Sequence, residues 1–174
     1  LTGDGSFSTT GTTGNIRVDA QGAGSDISLN ASMSSTNGSV SLLAADSITL
    51  GNGASSFLLS VLGSAKTLEL VATSGAVNMA ANATARSNGG NVRVDAGTNI
   101  SIGLIDTRIN SDRSGSLTSQ SSWGSVALVV GSGSVTDAEN SNDDVLVDVY
   151  AKTLRMQAGT SVGEGIDHLE TEVV

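Results

Sequence analysis

"GNIRVDA" (Gly14–Ala20) and "GNVRVDA" (Gly90–Ala96) are one heptapeptide written twice, 76 residues apart, with a single Ile-for-Val exchange. Within it Ile16, Val18 and Ala20 alternate with Arg17 and Asp19. Alternate residues of an extended strand point to opposite faces, so the apolar triplet shares one face and the charged pair the other. A duplicated site and two turns of a periodic coil would both produce such a repeat. The triplet decides between them, because its spacing recurs where the rest of the heptapeptide does not. Val40-Leu42-Ala44, Leu68-Leu70-Ala72, Val92-Val94-Ala96, Val126-Leu128-Val130 and Leu154-Met156-Ala158 repeat it, at steps of 24, 28, 24, 34 and 28 residues. The gap of 76 is therefore three turns (24, 28 and 24), and Arg17, Asp19, Arg93 and Asp95 are expected at the surface.

A second, shorter alternation follows each triplet: Ile27-Leu29, Ile48-Leu50, Val77-Met79, Ile100-Ile102, Val135 and Val162. A third, more variable stretch comes next, as in Ala31-Met33, Phe57-Leu59-Val61, Ala83-Ala85 and Val145-Val147-Val149. Turn-forming clusters such as "AGSD", "STNG" and "SNGG" separate them, no stretch shows a helical period, and glycine interrupts nearly every candidate. Three short strands in each repeat predict an all-β fold, a parallel β-helix (β-solenoid) of about six triangular rungs. Residues 1–174 form one such segment, read as a piece of a longer repeat protein. A β-sandwich would explain the alternation but not the recurrence of one inward triplet.

The composition suits a thin core. Only Phe7, Phe57, Trp123 and Tyr150 are aromatic, and proline and cysteine are absent. Zero cysteine excludes disulfide frameworks, thiol catalysis and cysteine-based zinc sites. A formal charge of −9 argues against nucleic acid or an anionic membrane as partner, since both select basic surfaces. No apolar run is long enough to span a bilayer as a helix.

The pattern G-x-[IV]-x-[VL]-x-A followed by D-I-[ST]-L appears as "GSDISLNA", "GSVSLLAADSITLG", "GNVRVDAGTNISIG" and "GSVALVV". With the C-terminal "LRMQAGTSVGEGIDHLETEV", it resembles the repeats of filamentous haemagglutinin-like bacterial surface and secreted adhesins. The resemblance covers nearly the whole chain with degenerate motifs. It implies a right-handed coil, export across the outer membrane of a Gram-negative-type bacterium, an extracellular location, and a role in adhesion or surface architecture. It supplies no catalytic set. The partners it implies are neighbouring repeats of the parent chain and a receptor or glycan on another cell.

Two other functions are weighed against that one. A polysaccharide-active β-helix enzyme, lyase or hydrolase, needs converging carboxylates; Asp106, Asp112 and the Asn142-Asp143-Asp144 run with Asp148 are the candidates. A calcium-dependent biofilm or surface-layer component would use Asp137, Glu139, Asp143 and Asp144, although no EF-hand or glycine-rich calcium repeat is present. His168 is the single histidine and, even with Asp167 beside it, is read as an exposed residue near the C-terminus. No enzyme activity, cofactor or metal is expected. The long step of 34 residues places an insertion in "DTRINSDRSGSLTSQSSWGS". The commoner reading is a solvated loop with compensating charge, and the sharper one a binding loop of Asp106, Arg108, Asp112, Arg113 and Trp123. Either way, deleting Ile109–Ser121 is expected to leave the rod standing. Leu1–Phe7 and His168–Val174 are the candidate caps of its two ends.

Overall fold

A computed structural model describes residues 7–9, 14–115, 117, 119–139, 146–163 and 168–174. The chain winds through three parallel sheets in rotation, one short strand in each per turn. The first sheet stacks Phe7–Thr9, Met33–Ser35, Phe57–Ser64, Ala83–Asn88, Leu104–Asp106, Val149–Ala151 and Thr171–Val173. The second stacks Ile16–Ala20, Val40–Ala44, Leu68–Ala72, Val92–Ala96, Ser125–Val130 and Thr153–Gln157, and carries the repeated triplet. The third stacks Ile27–Leu29, Ile48–Leu50, Val77–Met79, Ile100–Ile102 and Val135–Asp137, extended by a single bridge from Val135 to Val162. The parallel β-helix of three strands per rung is thus the observed fold.

Register places like beside like. Ile16, Val40, Leu68, Val92, Val126 and Leu154 are consecutive partners. Ala20, Ala44, Ala72 and Ala96 form a parallel column that ends on Val130. Ile27, Ile48, Val77, Ile100 and Val135 do the same in the third sheet and are all fully buried. Every side chain of this core meets its counterparts one strand spacing above and below, about 4.8 Å away, so a narrow interior is filled without large aromatic groups. The first sheet adjusts volume along its column, with Phe57 beside Ala83, and Leu59 beside Ala85 and then Ile105.

Polar groups at the corners are stitched from turn to turn. Asn15 Oδ1 accepts the Ser39 N–H at 2.8 Å, Asn91 Oδ1 that of Ser125 at 2.9 Å, and Asn99 Oδ1 that of Ser134 at 2.9 Å. The asparagine of "GN" (Asn15 and Asn91), and Asn99 at the next corner, therefore satisfy a backbone donor of the following rung, which an edge corner would otherwise leave exposed. Glycine is required in the same corner column by close approach: a Cβ on Gly38 would lie 2.2 Å from the Gly14 carbonyl oxygen, and one on Gly124 2.0 Å from that of Gly90. Lys66 replaces glycine in this column, and there the preceding Ala65 takes a left-handed φ of 55°, a conformation costly for a residue with a side chain.

The strand Leu104–Asp106 corrects the sequence expectation at the fifth turn, where Asp106 was placed in the insertion. The expected third stretch at Ala31-Met33 begins instead at Met33, and that at Val145-Val147-Val149 begins at Val149; Val145 is outside the described residues. Of the two candidate caps, Phe7–Thr9 and Thr171–Val173 are ordinary members of the first sheet, at its two edges; Leu1–Ser6 fall outside the described residues. At one end of the rod Ile16, Ile27 and Leu29 are buried. At the other, the inward Leu154 is half-buried and Met156 is 37% exposed.

Gly124→Ala must push apart two rungs held by backbone. Such overpacking costs about 1–3 kcal/mol, so thermal denaturation should give a Tm lowered by roughly 3–10 °C. Ser41→Ala, on the outer face, should leave Tm within about 2 °C.

Candidate functional site

The insertion after Asp106 turns the corner between the first and second sheets, with two short 3-10 turns at Asp112–Ser114 and Gln120–Ser122. It is tied to the turn before it and the turn after it. The Asn110 N–H donates to Asn88 Oδ1 at 3.1 Å, and Lys152 Nζ donates to the Ser121 carbonyl at 3.0 Å. Thr107, fully buried, sets its hydroxyl between the carbonyl oxygens of Gly124 and Tyr150, at 2.9 and 2.8 Å, which share its single proton. The flap therefore bridges three consecutive rungs.

All five residues of the expected binding loop belong to this region; Arg108 and Arg113 are half-buried, and the other three are buried. Asp106 is 3% exposed, Asp112 1% and Trp123 3%. Asp106 accepts the Arg108 backbone N–H at 3.0 Å and its Nε at 2.9 Å on Oδ1, and Arg108 Nη2 and Arg113 Nε, both at 2.9 Å, on Oδ2. Arg113 also donates Nη1 to Asn110 Oδ1 at 2.7 Å and Nη2 to the Ser87 carbonyl. Arg108 lies 3.5 Å over the Tyr150 ring, and Trp123 meets that ring edge-on at 6.2 Å between centroids. The Trp123 indole N–H donates to Asp112 Oδ2 at 2.6 Å. These are buried charges that are paired and hydrogen-bonded, the condition under which burial of a charge is tolerated.

The electrostatics follow from the contacts. Burial works to raise the Asp106 carboxyl, but the Arg108 hydrogen bonds and the Arg113 charge outweigh it, leaving its pKa below the ordinary carboxylate value. Burial lowers the Arg113 pKa, and the charges of Arg86 and Arg108 push the same way against the pull of Asp106. A general acid needs its pKa raised toward neutrality; Asp106 is displaced in the other direction.

The other candidates are dispersed. Asp148 is 4% exposed and its Oδ2 accepts the Glu170 N–H at 2.9 Å. Asp137 occupies the inward column of the third sheet, opposite Ile102, and accepts the Glu139 N–H at 3.0 Å. Asn142, Asp143, Asp144 and Asp167 lie outside the described residues, and His168 is exposed. Among the described residues no three His, Cys, Asp or Glu side chains gather as a metal site would require. A cleft of about 320 Å³ opens on the outer face of the first sheet, with Thr84, Leu104, Arg108, Glu139 and Tyr150 in its wall. The outward pair Leu43 and Val71 is half-buried and lines a shallow groove with Asp19 and Thr73. The Arg93–Glu69 ion pair expected between outward neighbours is present at 3.1 Å, but both side chains are exposed and it is worth little.

Searches among known protein families, curated proteins and solved structures give no match.

The inward orientation of the flap reverses the expectation that Ile109–Ser121 can be removed. Deletion takes away Asp112 and Arg113, strands the Trp123 indole N–H, and should unfold the rod at a markedly lower temperature. The point variant Asp112→Ala isolates one contact: a buried unpaired N–H costs about 1–3 kcal/mol. Its Tm should fall by roughly 3–10 °C, and emission from Trp123, the single tryptophan, should shift to longer wavelength. An unchanged spectrum and Tm in the deletion variant would show the flap to be a loose loop.

Proposed function

We propose that this chain is a structural and adhesive segment of a large secreted bacterial surface protein, a rod that spaces and displays rather than catalyses. The observation that carries this reading is the uncovered last turn. Thr153–Gln157 keeps the inward column of the second sheet, yet Leu154 is only half-buried and Met156 is 37% exposed, with Val162, Val173 and Val174 exposed nearby. Such a face offers apolar side chains at rung spacing beside an unpaired strand edge, a template for one more strand. A further turn of the same repeat fits it by register and chemistry alike, and a rod extended in this way is what a spacer needs.

Support for a non-catalytic role comes from the carboxylates. Asp106 gives both oxygens to arginine donors and Asp112 one to the Trp123 indole, and both are buried, which favours a structural role over action on a substrate. No helix among the described residues is long and apolar enough to cross a membrane. An extracellular location and adhesion to a receptor or glycan of another cell belong to the proposal.

Sedimentation velocity over a concentration series tests the uncovered end. The wild-type chain should associate reversibly as concentration rises, and Leu154→Lys with Met156→Lys should remain monomeric at every concentration. A wild-type chain that stays strictly monomeric would contradict an end built for stacking.

A further inference from the structure

The cleft on the first sheet opens where two successive turns make the same corner with different lengths of chain. Between Ile100–Ile102 and Leu104–Asp106 the corner is a single residue, Gly103. A Cβ there would lie 2.4 Å from the Ala80 carbonyl oxygen, so this short corner is pressed against the turn before it. Between Val135–Asp137 and Val149–Ala151 the corner takes residues 138–148. Both corners line the cleft of about 320 Å³. Its floor is Thr84 and Leu104, outward register partners on adjacent strands. Arg108 enters the wall from the flap, Tyr150 from the strand of the next turn, and Glu139 and Leu146 from the long corner.

The chemistry of this lining is mixed in a particular way. Asp106 takes Nε and Nη2 of Arg108 and offsets its charge, leaving Nη1 as the donor that can serve a ligand. Glu139 brings an acceptor of opposite charge to the same cleft. A ligand with one net charge is opposed by one of the two, and the chain's −9 opposes an anion at longer range as well. Neighbouring hydroxyl groups meet both demands, since each can donate to a carboxylate and accept from a guanidinium. Leu104, half-buried, and Leu146, 63% exposed, add apolar surface that the C–H face of a sugar ring can cover. The volume lies near the lower end of the range of about 300–1,000 Å³ spanned by small-molecule sites, which admits a terminal sugar or a disaccharide and not a long chain.

We propose that this cleft binds the terminal, uncharged sugar of a glycan, its neighbouring hydroxyls shared between Glu139 and Arg108 and its apolar face on Leu104 and Leu146. The inference rests on the adhesive reading and gives adhesion a place on the side of the rod.

The test uses backbone amide spectra of the ¹⁵N-labelled chain, titrated with the methyl glycosides of glucose, galactose, mannose and N-acetylglucosamine, in which the methyl group stands for the rest of the glycan. With at least one of these sugars the amides of Thr84, Leu104 and Glu139 should move together and saturably. Glu139→Gln keeps the shape and loses the charge, and should raise the midpoint about tenfold. Leu146→Ser, at an exposed position on which folding does not rely, should raise it about threefold. Leu154→Lys with Met156→Lys should bind the sugar as the wild type does, so that failure of the cleft and failure of the uncovered end are told apart. No saturable shift with any of the four sugars, an unchanged midpoint in either Glu139→Gln or Leu146→Ser, or a stronger response to glycylglycine, whose two charges match Arg108 and Glu139, would each overturn the proposal.

Discussion

Everything in this molecule depends on the in-register stacking of one turn on the next. A parallel strand pairs with its neighbours along both edges, so each rung is held by backbone hydrogen bonds that carry no sequence information. What fixes the register is the side chains, because a slip of one residue would send the whole inward set to the outer face. The column from Ile16 to Leu154 and the column from Ile27 to Val135 meet that condition at every step. Stability is then a sum over neighbouring turns, and a defect in one rung acts mainly on the two beside it.

The same constraint explains where chemistry can gather. On a regular turn, outward residues meet neighbours on their own strand or on the strands above and below and stay largely solvated, as Arg17 with Asp19, and Arg93 with Asp95 and Glu69, do. A concave or buried polar site needs extra chain, and the insertion after Asp106 supplies it. By covering the corner between two sheets, the flap buries Asp106, Asp112 and Trp123. It also draws the flanking arginines out of water with them. The flap brings Arg113 to a carboxylate already bonded to Arg108.

Much of the fold was legible in the sequence because burial in a coil is periodic. The second and third strands of each turn follow directly from the alternation, and the pairings of Val92 with Leu68 and Val126 follow from counting steps. The first sheet was harder to read. Its strand Leu104–Asp106 carries a single inward isoleucine, Ile105, and ends in a charged residue, which looks like the start of a loop. The site was read in part. The five residues were singled out together by charge and by the length of the insertion, and the structure does bring them together, around Asp106 and the Tyr150 ring. Their burial was not legible, because inward folding depends on partners brought from other turns, such as Ser87, Asn88 and Tyr150.

The stacking itself can be measured directly. The chain has no cysteine, so pairs of spin labels can be placed at will along the outward column Arg17, Ser41, Glu69, Arg93, Ala127 and Arg155. With one label fixed at position 17 and the second at 93, 127 or 155, pulsed dipolar spectroscopy should return separations that grow by about 4.8 Å per turn, or about 14, 19 and 24 Å between the backbones. Distances that fail to rise in equal steps, or that fall as the second label moves toward the C-terminus, would contradict the coil of stacked turns.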